Sequence, residues 1–87
     1  MTIHIEFFGI PRTRAGVARL DVEADSLREA LQAIAEQLPG WADTCLSGGR
    51  LQRGLIANLN GQRFVSDPDT VLNPGDAVLI LSADVGG

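Results

Sequence analysis

The sequence closes Ser82-Ala83-Asp84-Val85-Gly86-Gly87, and the group there that could do chemistry is the α-carboxylate of Gly87. A carboxylate is a poor electrophile, but as an acyl-adenylate it becomes one that a sulfur nucleophile can attack. Two residues without side chains can thread a narrow channel and take backbone angles closed to other residues. That would bring the carboxylate to a reagent held by another molecule. With Gly at about 7% of average usage, two terminal glycines arise by chance in about one chain in 200. The pair cannot hold a regular element, so residues 82–87 are expected to form a mobile tail.

The other reactive residue types read more plainly. Cys45 is the single cysteine, so no internal disulfide is possible, and no His neighbours it in sequence. It reads as structural. His4 falls on the polar side of an alternating segment and reads as a surface histidine. Cys45 and His4 cannot furnish a four-ligand zinc site, and no metal is expected. Asp67, Asp69 and Asp76 lie in turn sequences that account for each of them. Gly48-Gly49 lacks the Lys-Ser/Thr and the strand–loop–helix setting of a phosphate loop, and reads as a turn. Arg50 and Arg53 suit either a solvated face or contact with an acidic partner. No nucleophile–base pair, metal set or cofactor loop is present, so independent catalysis is not expected.

The elements that must position the ending follow from periodicity. Residues 2–8 alternate, with Ile3, Ile5 and Phe7 on one face and Thr2, His4 and Glu6 on the other, which reads as a half-buried strand. Residues 9–16 read as a loop, and residues 17–24 alternate again, with Leu20, Val22 and Ala24 inward. Ser26 with Glu29 three residues on matches a capping box. Leu27, Ala30, Leu31, Ile34 and Leu38 follow at helical spacing, and Pro39-Gly40 ends that helix. Residues 40–54 are irregular, with Trp41 and Leu46 placed to cover an edge of the core. Residues 55–59 form an apolar strand, Asn60-Gly61 a hairpin turn, and residues 62–65 the returning arm. After the turns at 67–69 and 73–76, Ala77–Leu81 reads as a fully apolar central strand. The expected class is α+β: a mixed sheet with one main helix across it.

With 87 residues the chain fits one domain, residues 1–87, and 45% hydrophobic residues suffice for one core. Its net charge is −4, which repels phosphate backbones and suits a partner with a basic docking surface. Nucleic-acid binding is therefore not expected. All seven basic residues are Arg, so no side-chain amine is offered for an isopeptide bond or a Schiff base. No signal peptide or membrane-spanning run is read, and a cytoplasmic location is expected.

This element order and ending resemble the ubiquitin-like sulfur carriers of the β-grasp fold, above all the MoaD-type small subunit of molybdopterin synthase, with ThiS-type thiamine carriers as near relatives. The resemblance rests on the hairpin and capped helix of residues 2–38, on Asn58-Leu59-Asn60-Gly61 with the run Val71 to Leu81, similar to the family's "NG … L.pGDeV" stretch, and on Gly86-Gly87. The extra segment 40–54 favours the MoaD type over the shorter ThiS type. The family's usual proline before the glycines is absent, the tail here being Ser82-Ala83-Asp84-Val85. The resemblance implies that a ubiquitin-activating-type enzyme adenylates Gly87 with its own ATP, this chain binding no cofactor. It also implies a sulfurtransferase donor and a thiocarboxylate at Gly87, with Gly86 allowing close approach. The acceptor it implies is the large subunit of molybdopterin synthase, in molybdenum cofactor biosynthesis. Phe8, Leu59, Leu81 and Val85 are the candidates for an apolar docking patch beside the tail. The alternatives are a carrier for another pathway, thiamine thiazole or cysteine synthesis, and a β-grasp interaction module without acyl chemistry.

Overall fold

Residues 1–83 are described by a computed structural model. β1 (Thr2–Phe7) buries Ile3, Ile5 and Phe7 and exposes the residues between them, as its period-2 pattern requires. It pairs antiparallel with β2 (Arg19–Glu23), in a register from Thr2 opposite Glu23 to Glu6 opposite Arg19.

The segment between these strands holds a short helix, α1 (Ile10–Ala15), where a loop was expected. Gly9 at φ 68° turns the chain out of β1, a conformation costly for any residue with a side chain. Pro11 then fixes a helical φ in the first turn, and Gly16 closes the helix in the left-handed region. Six residues are too few to show a helical period, so the pattern carried no signal.

α2 (Leu27–Gln37) is capped as its sequence predicts. Ser26 Oγ accepts the Glu29 N–H at 3.2 Å, and Glu29 Oε1 accepts the Asp25 N–H at 2.7 Å. Leu27, Ala30, Leu31 and Ile34 are buried against the sheet. Burying each of the larger three contributes about 1.5–3 kcal/mol. Ser26→Ala is expected to cost about 1 kcal/mol, read as a lower urea midpoint at unchanged slope; an unchanged midpoint would show that the cap adds nothing.

Pro39 ends α2 but also starts α3 (Pro39–Cys45), which carries Trp41 and Cys45 into the core. Trp41 is a core residue rather than an edge cover. Its ring meets Phe7 at 5.4 Å between centroids, tilted by 58°. A small hairpin of β3 (Leu46–Ser47) and β4 (Arg50–Leu51) follows, turning at Gly48-Gly49.

β5 (Leu55–Leu59) and β6 (Arg63–Val65) form the predicted hairpin, with Asn60 at φ 57° and Gly61 at φ 69° in its turn. β7 (Ala77–Ser82) completes a five-stranded sheet in the order β2-β1-β7-β5-β6, parallel to β1 and antiparallel to β5. It is the central strand, as its apolar run predicts. The architecture is the mixed β-grasp sheet with α2 across it, to which α1 and α3 are added.

The turn that feeds β7 is organised by Asp76. Its Oδ2 accepts the Asn73 N–H at 2.9 Å, and its Oδ1 accepts the Asn60 amide at 3.0 Å. The Asn73 N–H above all, then Asn60, with Arg63 adding a favourable field, holds this carboxyl below the usual carboxylate range. A pKa that is lower in the folded than in the unfolded chain stabilises fully above the unfolded value, and that contribution is lost as pH falls through the folded one. Between about pH 5 and pH 2 the wild-type chain is therefore expected to lose more stability than Asp76→Asn, measured by urea unfolding at each pH. Equal acid limbs for the two proteins would remove Asp76 from the account.

Candidate functional site

Because β1 runs parallel to β7 and β5 antiparallel to it, three chain segments meet where β7 ends: the end of β1, the start of α1 and the loop before β5. The Phe8 N–H donates to the Ile80 carbonyl at 2.9 Å, after which α1 takes the chain away. β5 stays beside β7 longer, to Leu55 opposite Ser82, and the Ala83 N–H then donates to the Gly54 carbonyl at 2.7 Å. The segment expected to be free from residue 82 is thus paired through Ala83: sheet hydrogen bonding with β5 outlasts the apolar run. Val85, Gly86 and Gly87 lie outside the described residues.

Around this exit the candidate docking residues divide. Phe8 is 62% exposed, and Ile10 beside it is 51% exposed. Leu81 is half-buried on the sheet face away from α2. Leu59 is a correction: it is only 6% exposed, on the core side of β5 and opposite Val78 at the other end of the strand. Leu55, Ala57 and Leu59 share one parity of β5, and the sheet turns that parity inward. The opposite parity supplies what sequence reasoning missed. Ile56 pairs with Leu81, and Asn58 stands between Leu79 and Phe64, which is 65% exposed. Phe8, Leu81, Ile56, Leu79 and Phe64 therefore form an apolar track across the uncovered face, reaching the exit of β7. The alternation of Phe64 with buried Val65 was the one available signal for it.

The remaining reactive residues lie elsewhere. Cys45 is fully buried, its sulfur 3.8 Å from Thr44 Oγ1. His4 Nδ1 lies 2.8 Å from Asp21 Oδ1, both exposed, towards the start of β1 and away from the exit. Asp67 Oδ1 accepts the Asp69 N–H at 2.9 Å, and Asp69 pairs with Arg28 at 2.9 Å. With Asp76 in its turn, each of the three aspartates has a local structural task. No three His, Cys, Asp or Glu residues are placed to hold a metal ion among the described residues. No helix among them is long and apolar enough to cross a membrane.

What this arrangement can do is present a chain end at one edge of a rigid sheet, with an apolar track leading to it. Comparisons with known proteins agree with the architecture. The structure is similar to SAMP1 from Haloferax volcanii, at 19% identity and a TM-score of 0.85, covering 100% of both chains. It is similar to a chain of the Amycolatopsis orientalis BexX/CysO complex, at 19% identity and a TM-score of 0.81, covering 98% of this chain and 99% of that one. It is also similar to a chain of the complex of subunits 1 and 2 of the molybdopterin-converting factor from Helicobacter pylori 26695, at 24% identity and a TM-score of 0.66, covering 100% of both. A search of curated proteins gives no match. Among protein-family models, that of the ThiS family matches residues 5–87, which takes in nearly the whole chain and its final Gly-Gly, and the protein therefore belongs to the ThiS family of MoaD/ThiS-type ubiquitin-like sulfur carriers.

Proposed function

We propose that this chain carries sulfur as a thiocarboxylate on Gly87 and delivers it as the small subunit of a molybdopterin synthase. The observation that carries the reading is the family match running through Gly87, on a fold that brings an apolar track to the root of the tail. In the first step a Gly87 carboxylate oxygen attacks the α-phosphate of ATP held by an adenylating enzyme, and pyrophosphate leaves. Hydrosulfide released by a donor enzyme then attacks the acyl carbon, AMP departs with the electron pair of the C–O bond, and loss of the S–H proton leaves the thiocarboxylate. One oxygen is thereby replaced by sulfur. The chain itself supplies the electrophile and the surface that positions it, converting docking energy into proximity. The track of Phe8, Leu81, Ile56, Leu79 and Phe64 is the proposed docking surface for the partners, the exposed aromatics serving as its anchors.

The choice of acceptor is supported by the whole-length likeness to the Helicobacter pylori converting-factor chain, a protein solved in complex with its second subunit. The likeness to the chain of the BexX/CysO complex keeps a second reading, in which the same thiocarboxylate serves another synthesis such as that of cysteine or the thiamine thiazole. Intact-mass spectrometry after incubation with an adenylating enzyme of the family, ATP and a sulfur donor tests the chemistry: a gain of about 16 Da, the excess of sulfur over oxygen, is expected. No gain would overturn the reading. Capture with the thiocarboxylate form then separates the acceptors: a large synthase subunit supports the first, a different sulfur-accepting enzyme the second.

A further inference from the structure

A net charge of −4 describes the whole chain but not the end that releases the tail. The topology sorts the charges. β2 and β5 run opposite to β1 and β7, so the turns after β2 and before β7 and the start of α2 lie at the far end of the sheet. Asp21, Glu23, Asp25, Glu29, Asp69 and Asp76 sit there. Most are engaged within the molecule: Asp21 with His4, Asp69 with Arg28, Glu29 in the helix cap and Asp76 in its turn. The end that releases the tail instead gathers arginines, with exposed Asp43 of α3 next to Thr44 there. Arg12 and Arg14 project from α1, and Arg53 lies in the loop before β5. Ile10, Arg14, Thr44, Arg53, Gly54 and Ser82 line one open depression of about 370 Å³ there.

None of Arg12, Arg14 and Arg53 forms an ion pair with a described carboxylate. Arg14 is oriented all the same, its Nη1 donating to the Thr44 carbonyl at 3.1 Å and fixing the guanidinium in the wall of the depression. Like charges gathered with no paired carboxylate among the described residues repel one another. Their placement instead frames the place where Ala83 leaves Gly54.

Resting on the carrier reading above, we propose that Arg14 and Arg53 form a basic rim that docks on an acidic rim of the adenylating enzyme, around the opening that receives the tail. The rim adjoins the apolar track at Phe8 and Ile10, so the two surfaces make one continuous interface. Exposed rim charges act chiefly on association rate and salt dependence, while the apolar anchors hold the complex once formed. The acidic bulk then faces away from the partner, and the molecule approaches with its tail end foremost.

The test compares wild type, the double variant Arg14→Glu/Arg53→Glu, its neutral counterpart Arg14→Gln/Arg53→Gln, and Arg63→Glu as a charge control at the far end. Stopped-flow association with an adenylating enzyme of the family is measured without nucleotide, at low and at high salt, followed by ATP–pyrophosphate exchange. The charge-reversed variant is expected to associate about tenfold more slowly at low salt. The deficit should shrink towards nothing at about 0.5 M salt, where screening is strong. The neutral variant should fall between, Arg63→Glu should follow wild type, and circular dichroism should show all four folded. Wild-type association rates in the charge-reversed variant would overturn the proposal. So would a deficit that appears only with ATP present, which would make the arginines phosphate ligands. Absence of pyrophosphate exchange with the wild-type chain would instead overturn the carrier reading, and this inference with it.

Discussion

Deleting Gly86 and Gly87 is expected to abolish the gain of about 16 Da completely, while the urea and thermal transitions stay within experimental error of wild type. The expectation joins two observations. The sheet pairing described through Ala83 uses neither of the two deleted residues, so that pairing is expected to survive the deletion. The acyl carbon that would carry sulfur, by contrast, belongs to Gly87 alone. Moving the carboxylate back to Val85 shortens its reach by two residues, about 7 Å of extended chain. It also places a β-branched side chain where the proposal requires none. A misplacement of even about 1 Å can cost two orders of magnitude in rate, so a shift of this size leaves no residual turnover. Gly87→Ala refines the result: it keeps the carboxylate at its reach and adds one methyl group, so it should be slowed rather than silent. Full conversion of the deletion variant would show that the reactive group lies elsewhere. A deletion variant that keeps its biological role without any mass gain would favour the plain interaction module.

The second large effect is on stability. Trp41→Ala is expected to cost about 3–5 kcal/mol, a large part of the roughly 5–15 kcal/mol that a domain has in total. Trp41 is 1% exposed, and Phe7 beside it is equally buried. Truncation leaves a cavity beside Phe7, at the end of β1. Urea unfolding followed by far-UV circular dichroism measures the loss, since the only tryptophan is removed. Trp41→Phe should cost much less. It keeps an aromatic ring against Phe7, and it removes an indole N–H that is buried without a hydrogen-bond partner among the described residues. A loss below about 1 kcal/mol for Trp41→Ala would mean that α3 relaxes into the gap and is not a rigid part of the core.

The two effects probe different parts of the same design. The first removes the proposed chemistry and leaves the fold; the second weakens the fold and leaves the chemistry in place. A sulfur carrier of this kind should separate them cleanly, because its body acts only by positioning.

Much of this molecule was determined by the sequence alone. Alternation in residues 2–7 and 19–23, the Ser26–Glu29 cap, Asn60-Gly61 and the unbroken apolar run at 77–81 are local signals. Each was legible because the physics that sets it, a side-chain period, a capped helix end or a positive φ, acts over a few residues. The family resemblance rested on the same stretches and on the final glycines. Only the tertiary structure decided the rest. α1 and α3 are too short to show a period and persist because Pro11, Trp41 and Cys45 are buried in the assembled core. Leu59 and Ile56 both lie in an apolar strand, and the face each took depended on which parity the sheet turned towards α2. The gathering of Arg14 and Arg53 at the tail exit was invisible in a net charge of −4, since charge is summed along the chain, whereas a partner meets only the residues that strand direction brings to one edge.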